Sequence, residues 1–358
     1  MVGKIYNFAA GPAQLPAPVL KKAQAELMNW HSSGMSVMEM SHRGSLFQEI
    51  HAGAKEKLRS LLSVPSSHDI LFMQGGATGQ FSAVPLNLMG EGPAVYAVTG
   101  NFSGIAAREA AKYGKVLRAF DGGAESYRRI PRQSELKLER GAAYFHYCAN
   151  NTIYGTAWDY VPEAGVPLVC DMSSEILSHP VEVGRYRLIY AGAQKNMAPA
   201  GLTVAIIERA ALGHERPDTP QVLNYRLMSA KDSMLNTPPC WCIYMLGLTL
   251  DWLDEQGGIE GMEQIKHGKA QMLYDCIDSS KLFTCAAEKP FRSDMNVTFR
   301  SASEELDAKF VKEAAEAGFV NLKGHRKVGG MRASIYNAVP VEGVEKLCDF
   351  IRAFDKAN

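Results

Sequence analysis

The chain has 358 residues, 38 basic and 38 acidic side chains, and a hydrophobic fraction of 46%. That balance excludes the basic field by which proteins hold nucleic acid or an anionic membrane surface, and no apolar run reaches membrane-spanning length. Seven cysteines at irregular spacing make no disulfide framework, and Cys240-Trp241-Cys242 lacks the second pair or nearby histidine of a zinc site, so no metal is expected.

The length fits two domains. Met1 to Lys4 lead straight into Tyr6-Asn7-Phe8 with no apolar signal region, which predicts a cytoplasmic protein. Residues 1–15 read as an arm punctuated by Gly11-Pro12. Pro16 then opens a helix expected to run through Leu27 and Trp30, with proline near the first turn, where its missing N–H costs little. A loop follows at Ser41-His42-Arg43-Gly44. From about residue 46 to 260, helical patterns alternate with short apolar runs, among them Ile70–Met73, Ala94–Val98, Ala142–His146, Val166–Cys170, Tyr186–Tyr190 and Thr203–Ile207. Such alternation predicts an α/β domain over residues 16–258 with a mostly parallel sheet. A helix from Trp241 to Leu253 stops at Gly257-Gly258. Beyond it, a helix over Met262–Ile277, strands at Asn296–Phe299 and Met331–Ile335, and a closing helix after Val341 predict a smaller α+β domain over residues 259–358.

Three places in this pattern carry chemistry. Asp171 ends one expected strand. Lys195 follows another, past the small-residue turn Ala191-Gly192-Ala193. Alone, a lysine there is ordinarily a solvated loop residue, and an aspartate a helix cap. Together at neighbouring strand ends they suit pyridoxal phosphate, which needs an amine for a Schiff base and a carboxylate to keep its ring nitrogen protonated. Gly75-Gly76-Ala77-Thr78-Gly79 lies between a strand and an expected helix start near Gln80, a place where exposed N–H groups and the helix dipole hold phosphate. It is neither a Walker A loop nor a dinucleotide fingerprint. The third place is cationic: His42-Arg43, His325-Arg326 in a glycine-flanked loop, and Arg332 at a strand start are candidates to bind carboxylate or phosphate.

Longer motifs join these elements. They are Asn7-Phe8-Ala9-Ala10-Gly11-Pro12, Ser36 through Gly44, Gly75 through Phe81, Ile189 through Asn196, Leu235-Asn236-Thr237-Pro238-Pro239, and Leu322 through Asn337. Through them the chain resembles, over nearly its whole length, the phosphoserine aminotransferases, class V aminotransferases of fold type I. The resemblance implies a seven-stranded large domain, pyridoxal 5'-phosphate as cofactor, L-glutamate and 3-phosphohydroxypyruvate as substrates, and a homodimer with shared active sites. Lys195 is then the Schiff-base lysine and proton shuttle, and Asp171 the partner of the pyridine nitrogen. Ala77, Thr78 and Gln194 correspond to ligands of the cofactor phosphate. Phe102 corresponds to a stacking ring that is Trp in many relatives, and Thr152 to a hydroxyl at the phenolic oxygen. Asn236 and Thr237 correspond to residues that reach the phosphate from the neighbouring subunit. Arg43 and Arg332 correspond to substrate-anion ligands, with His42, His325 and Arg326 in the phosphate-recognising set. Two alternatives stay open: a class V transaminase of the alanine or serine–glyoxylate type, and a catalytically silent protein that binds the cofactor.

Overall fold

The computed structural model describes residues 4–358. Seven strands form the central sheet: β1 (His68–Met73), β2 (Ala94–Val98), β3 (Val116–Asp121), β4 (Tyr144–Cys148), β5 (Leu168–Asp171), β6 (Tyr186–Gly192) and β7 (Thr203–Glu208). Their order across the sheet is β1-β7-β6-β5-β4-β2-β3. The four pairings from β6 to β3 are parallel, whereas β7 runs antiparallel to both β1 and β6. The interior strands are buried along nearly their whole length, which is why they read as continuous apolar runs rather than alternating ones. Helices cover both faces of the sheet, so its apolar residues divide between two clusters. Phe72, Phe145, Cys170 and Ile189 lie in one, and Leu71, Tyr96, Val169 and Tyr190 in the other.

The rest of the chain builds a separate core. Tyr6 and Phe8 pack there with Leu273, Phe283, Phe310, Ala333 and Phe354. The expected N-terminal arm is thus tied down, because Tyr6–Asn7 pairs in parallel with Phe319–Val320. Strands β8 (Asn296–Phe299) and β9 (Met331–Ser334) form an antiparallel pair between the helices Gly258–Asp278 and Val341–Ala357. Gly257, at φ 91°, starts the first of these helices from the left-handed region that glycine adopts without strain.

Three local expectations differ from the structure. The first helix covers Ala17–Glu26 and does not continue to Trp30, which lies in a separate 3-10 turn. Asn29 explains the break, because its side-chain oxygen takes the Gly34 N–H at 2.7 Å and offers the backbone an alternative to the helix. The helix expected from Gln80 starts at Gly76, with Gly75 and Gly76 both at positive φ to make the sharp entry from β1. Strand β6 extends through Gly192, so the turn carrying Lys195 starts at Ala193, whose N–H bonds back to Leu202 O at 3.0 Å.

Candidate active site

Open α/β sheets bind ligands beyond the carboxyl ends of their parallel strands. Here β1 ends before Gly75-Gly76, β2 before Phe102, β4 before Asn150 and Thr152, β5 at Asp171, and β6 before Gln194 and Lys195. All of these residues line one cavity of about 460 Å³, closed from the other core by His325 and Arg332.

Strands β5 and β6 are neighbours, and Asp171 pairs in register with Tyr190. Asp171 is 8% exposed. Its Oδ1 accepts from the Ser173 N–H at 2.9 Å and the Ser173 hydroxyl at 2.6 Å. That same hydroxyl accepts the Gly192 N–H at 3.0 Å, so a single serine locks the carboxylate to the end of β6. Cys148, opposite Asp171 on β4, donates its thiol to Oδ2 at 3.9 Å.

Lys195 is half-buried, and its Nζ stands 5.4 Å from the centre of the Phe102 ring. Desolvation pulls its pKa below the ordinary lysine value, and the Arg332 guanidinium adds to the fall, while Asp171 and Cys148 oppose it. The net shift is downward, toward easier loss of the proton that the amine must shed before it can attack a carbonyl or act as a base. Gly11 lets the N-terminal arm pass close to this lysine: a Cβ there would lie 3.2 Å from Lys195 Cγ, at φ +139°.

The helix Gly76–Leu88 presents its first turn to the cavity. N–H groups of a first turn have no intrahelical acceptor, which leaves those of Ala77 and Thr78 open to an anion. Next to them Gly192 lets the Gln194 side chain pack close to the helix start, since a Cβ there would sit 2.7 Å from Gln194 Oε1 and 3.4 Å from Ala77 N. Arg332 lies on β9 and donates to Thr152 O at 3.1 Å. Burial lowers its pKa, and together with Arg326 and Lys327 it adds to the desolvation that lowers the pKa of His325.

Ala77, Thr78, Phe102, Thr152, Asp171, Gln194, Lys195, His325 and Arg332 therefore meet in one place. His42, Arg43, Arg326, Asn236 and Thr237 do not line the cavity. His42 is half-buried, with its Nε2 shielded and unpartnered, while Arg43 and Arg326 are exposed. Asn236 and Thr237 are exposed as well, although Thr237 O accepts from Gln74, the residue before the Gly75 turn, at 3.2 Å. The structure adds Cys148, Asn150, Asn151, Ser173 and Ser174 to the lining. Ser173 had a sequence signal, a hydroxyl two residues after a strand-ending aspartate. A further signal lies in the glycine of Thr99-Gly100-Asn101: a Cβ at Gly100 would strike Asn151 Oδ1 at 2.5 Å.

The features demanded by pyridoxal phosphate fit this cavity: a lysine of lowered pKa, a fixed carboxylate, an aromatic face and a free helix N-terminus. The family model for class-V aminotransferases matches residues 5–347. The phosphoserine aminotransferase of Laribacter hongkongensis is 51% identical over 356 residues, covering 99% of both chains. Among solved structures, the phosphoserine aminotransferase of Bacillus circulans subsp. alkalophilus superposes with a TM-score of 0.97 at 44% identity, covering 99% of both chains. The pyridoxal-phosphate-bound phosphoserine aminotransferase of Trichomonas vaginalis gives 0.94 at 38% identity over 98% of this chain and 100% of that one. The chain belongs to the class-V aminotransferases, pyridoxal-phosphate-dependent transaminases, and within them to the phosphoserine aminotransferase family.

Proposed function

We propose that this enzyme catalyses the reversible transamination between 3-phosphohydroxypyruvate plus L-glutamate and O-phospho-L-serine plus 2-oxoglutarate, a step of L-serine biosynthesis. The observation that carries the reading is the meeting of Asp171 and Lys195 at adjacent parallel strand ends, in one cavity with a free helix N-terminus. The cofactor would be held by Lys195 covalently, by the N–H groups of Ala77 and Thr78 with Gln194 at its phosphate, by Phe102 on its face, by Thr152 at its phenolic oxygen, and by Asp171 at its ring nitrogen. When bound it supplies an electron sink for charge that develops at a substrate Cα.

The protein's own work is then to place and move protons. Lys195, whose pKa desolvation lowers, would take the proton from the substrate Cα and return it in the second half of the exchange. Ser173 fixes the Asp171 carboxylate so that it need not reorganise as charge shifts. Arg332 is suited to a substrate carboxylate, since a guanidinium reads such groups as a fork. His325, with Arg326 and His42, forms the phosphate-recognising set, Arg43 joins Arg332 as a substrate-anion ligand, and we assign His42, Arg43, Arg326 and the Asn236-Thr237 hook to a partner subunit in a homodimer. This assignment accounts for five family-matched residues lying outside the cavity of a single chain. We further propose a cytoplasmic enzyme with a large domain over 16–258 and a small domain over 259–358. Among the described residues no helix is long and apolar enough to cross a membrane.

The test is turnover of 3-phosphohydroxypyruvate with glutamate, compared with glyoxylate plus alanine or serine as competing pairs. Preference for glyoxylate would replace the reading by the alanine or serine–glyoxylate type. Binding of cofactor without any exchange would mark a silent protein.

A further inference from the structure

A second cavity, of about 690 Å³, lies beside the catalytic one at the junction of the two cores. One wall comes from residues 126–128 and 153–154, the other from 284–287, 298–300 and the loop before β9. Ile153 lines both cavities. Strand β9 divides them, with Met331 on the second cavity and Arg332 on the catalytic one. The same loop serves both, through Lys327 here and His325 there. Gly330 lets that loop sit flush, because a Cβ at its φ of +63° would meet Phe299 O at 2.6 Å.

The charge of this space is one-sided. Arg128, Arg300 and Lys327 line it, and no aspartate or glutamate does. Arg128 Nε donates to Ala286 O at 3.0 Å, Arg300 Nη2 donates to Val328 O at 2.8 Å, and Lys327 bonds Asn101 Oδ1. These partners are neutral, so they position the cations without cancelling them. Of the carboxylates closest along the chain, Glu125 is paired with Arg129, and the exposed Glu288, next to Ala287, forms no ion pair among the described residues and does not line the cavity. Arg128, Arg300 and Lys327 are exposed and form no ion pair among the described residues, and cations of one sign lining a concave space focus the field on an incoming anion.

We propose that this cavity is an anion antechamber, a docking site in which Arg128, Arg300 and Lys327 capture the phosphorylated acid before it passes Ile153 into the catalytic cavity. The proposal rests on the phosphorylated-substrate reading above. An antechamber raises the rate of capture and leaves the chemical step alone. It therefore acts on kcat/KM and not on kcat, and it weakens with salt.

The experiment compares the holoenzyme with its Arg128→Gln/Arg300→Gln double variant, with 3-phosphohydroxypyruvate and the unphosphorylated hydroxypyruvate as substrates. At low ionic strength the variant should lose about tenfold in kcat/KM for the phosphorylated acid, the lower end of what steering contributes. Its kcat should hold, and the loss for hydroxypyruvate should be smaller. The gap should close in high salt, where the screening length falls to about 3 Å. Arg128→Lys/Arg300→Lys should restore most of the rate, which a role in packing alone would not produce. Equal kcat/KM in wild type and the double variant at low salt overturns the antechamber, as does a loss in kcat or one that salt leaves unchanged. A wild-type enzyme that turns over other keto acids but not the phosphorylated one overturns the substrate reading first, and the antechamber with it.

Discussion

Asn196, the residue after Lys195, accepts the backbone N–H of Asn337 on its Oδ1 at 3.0 Å and donates through Nδ2 to Ile176 O at 2.6 Å. Asn337 in turn donates its side chain to Leu177 O at 2.8 Å. The lysine turn is thus bolted both to the segment after β5 and to the chain leaving β9. Below this bolt, Asn150 donates to Ser174 at 2.8 Å and to Asn296 at 2.7 Å, and Asn296 donates to Tyr336 at 3.2 Å. The two cores therefore meet through buried amides next to the cavity, where each polar group needs its partner.

Asn196→Ala removes both bonds and strands two backbone groups. Each such loss costs about 1–3 kcal/mol, so unfolding stability should fall by about 2–6 kcal/mol, with slower turnover because Lys195 is less well placed. Urea unfolding followed by fluorescence measures the first effect. An unchanged midpoint would show that neither bond contributes.

Asp171→Asn keeps an oxygen to accept from Ser173 but removes the charge. A hydrogen bond to a charged group is worth about 1.5–3 kcal/mol, which corresponds to cofactor affinity weaker by about tenfold to 150-fold. Equilibrium dialysis of pyridoxal phosphate reads this directly, and turnover at saturating cofactor should still be depressed. Affinity and rate both at the wild-type level would remove Asp171 from its role.

Strand-end positions were the part of the site most legible from sequence. Asp171 closes one apolar run and Lys195 lies on the turn just after another, and such runs in an α/β pattern pair as neighbours, which β5 and β6 do. The direction of β7 was not legible, because Thr203–Glu208 is buried on both faces and reads the same whichever way it runs. Cys148 carries no signal in the sequence beyond its place in an irregular set of seven cysteines, yet the β4–β5 register sets its thiol against Asp171. Pairing across strands has no trace in local spacing. For the same reason the small-residue run 191–193 read as one turn, although β6 holds Gly192 in register with Thr203.

Lys269 offers a test away from the catalytic residues. It is 1% exposed on the helix Gly258–Asp278 and donates to Tyr336 O at 2.8 Å and Val339 O at 2.9 Å, holding the turn that carries Asn337. Burial lowers its pKa to about 7. In the unfolded chain it titrates near 10.4, so between these values the unfolded state binds the extra proton. Lysine burial therefore costs most below pH 7, and the cost is relieved as pH rises. The stability of wild type minus that of Lys269→Met should climb from pH 7 to 9 by up to about 1.4 kcal/mol per pH unit and stay flat from pH 5 to 6. Taking the difference cancels the cysteines and tyrosines that titrate in the same range. A flat difference across pH 7–9 would mean that Lys269 stays charged in the folded protein.

The shared-site model makes the sharpest prediction. Asn236 and Thr237 are exposed beside Gln74 and do not line their own chain's cavity, and the following Pro238-Pro239 pair stiffens the segment. If this hook completes the partner's phosphate site, two-fold symmetry builds each site from both chains. Lys195→Ala alone should lower turnover by about 10⁴-fold, the upper range for loss of a positioned proton carrier. The Asn236→Ala/Thr237→Ala double variant should mainly weaken cofactor binding. In a mixed dimer of the two, one site then carries both defects and the other carries none. Co-refolded heterodimers, isolated by two different affinity tags, should recover about half of the wild-type activity per dimer by that symmetry. If the hook acted within its own chain, each site of the mixed dimer would keep one defect, and activity would stay at the mean of the two separate variants.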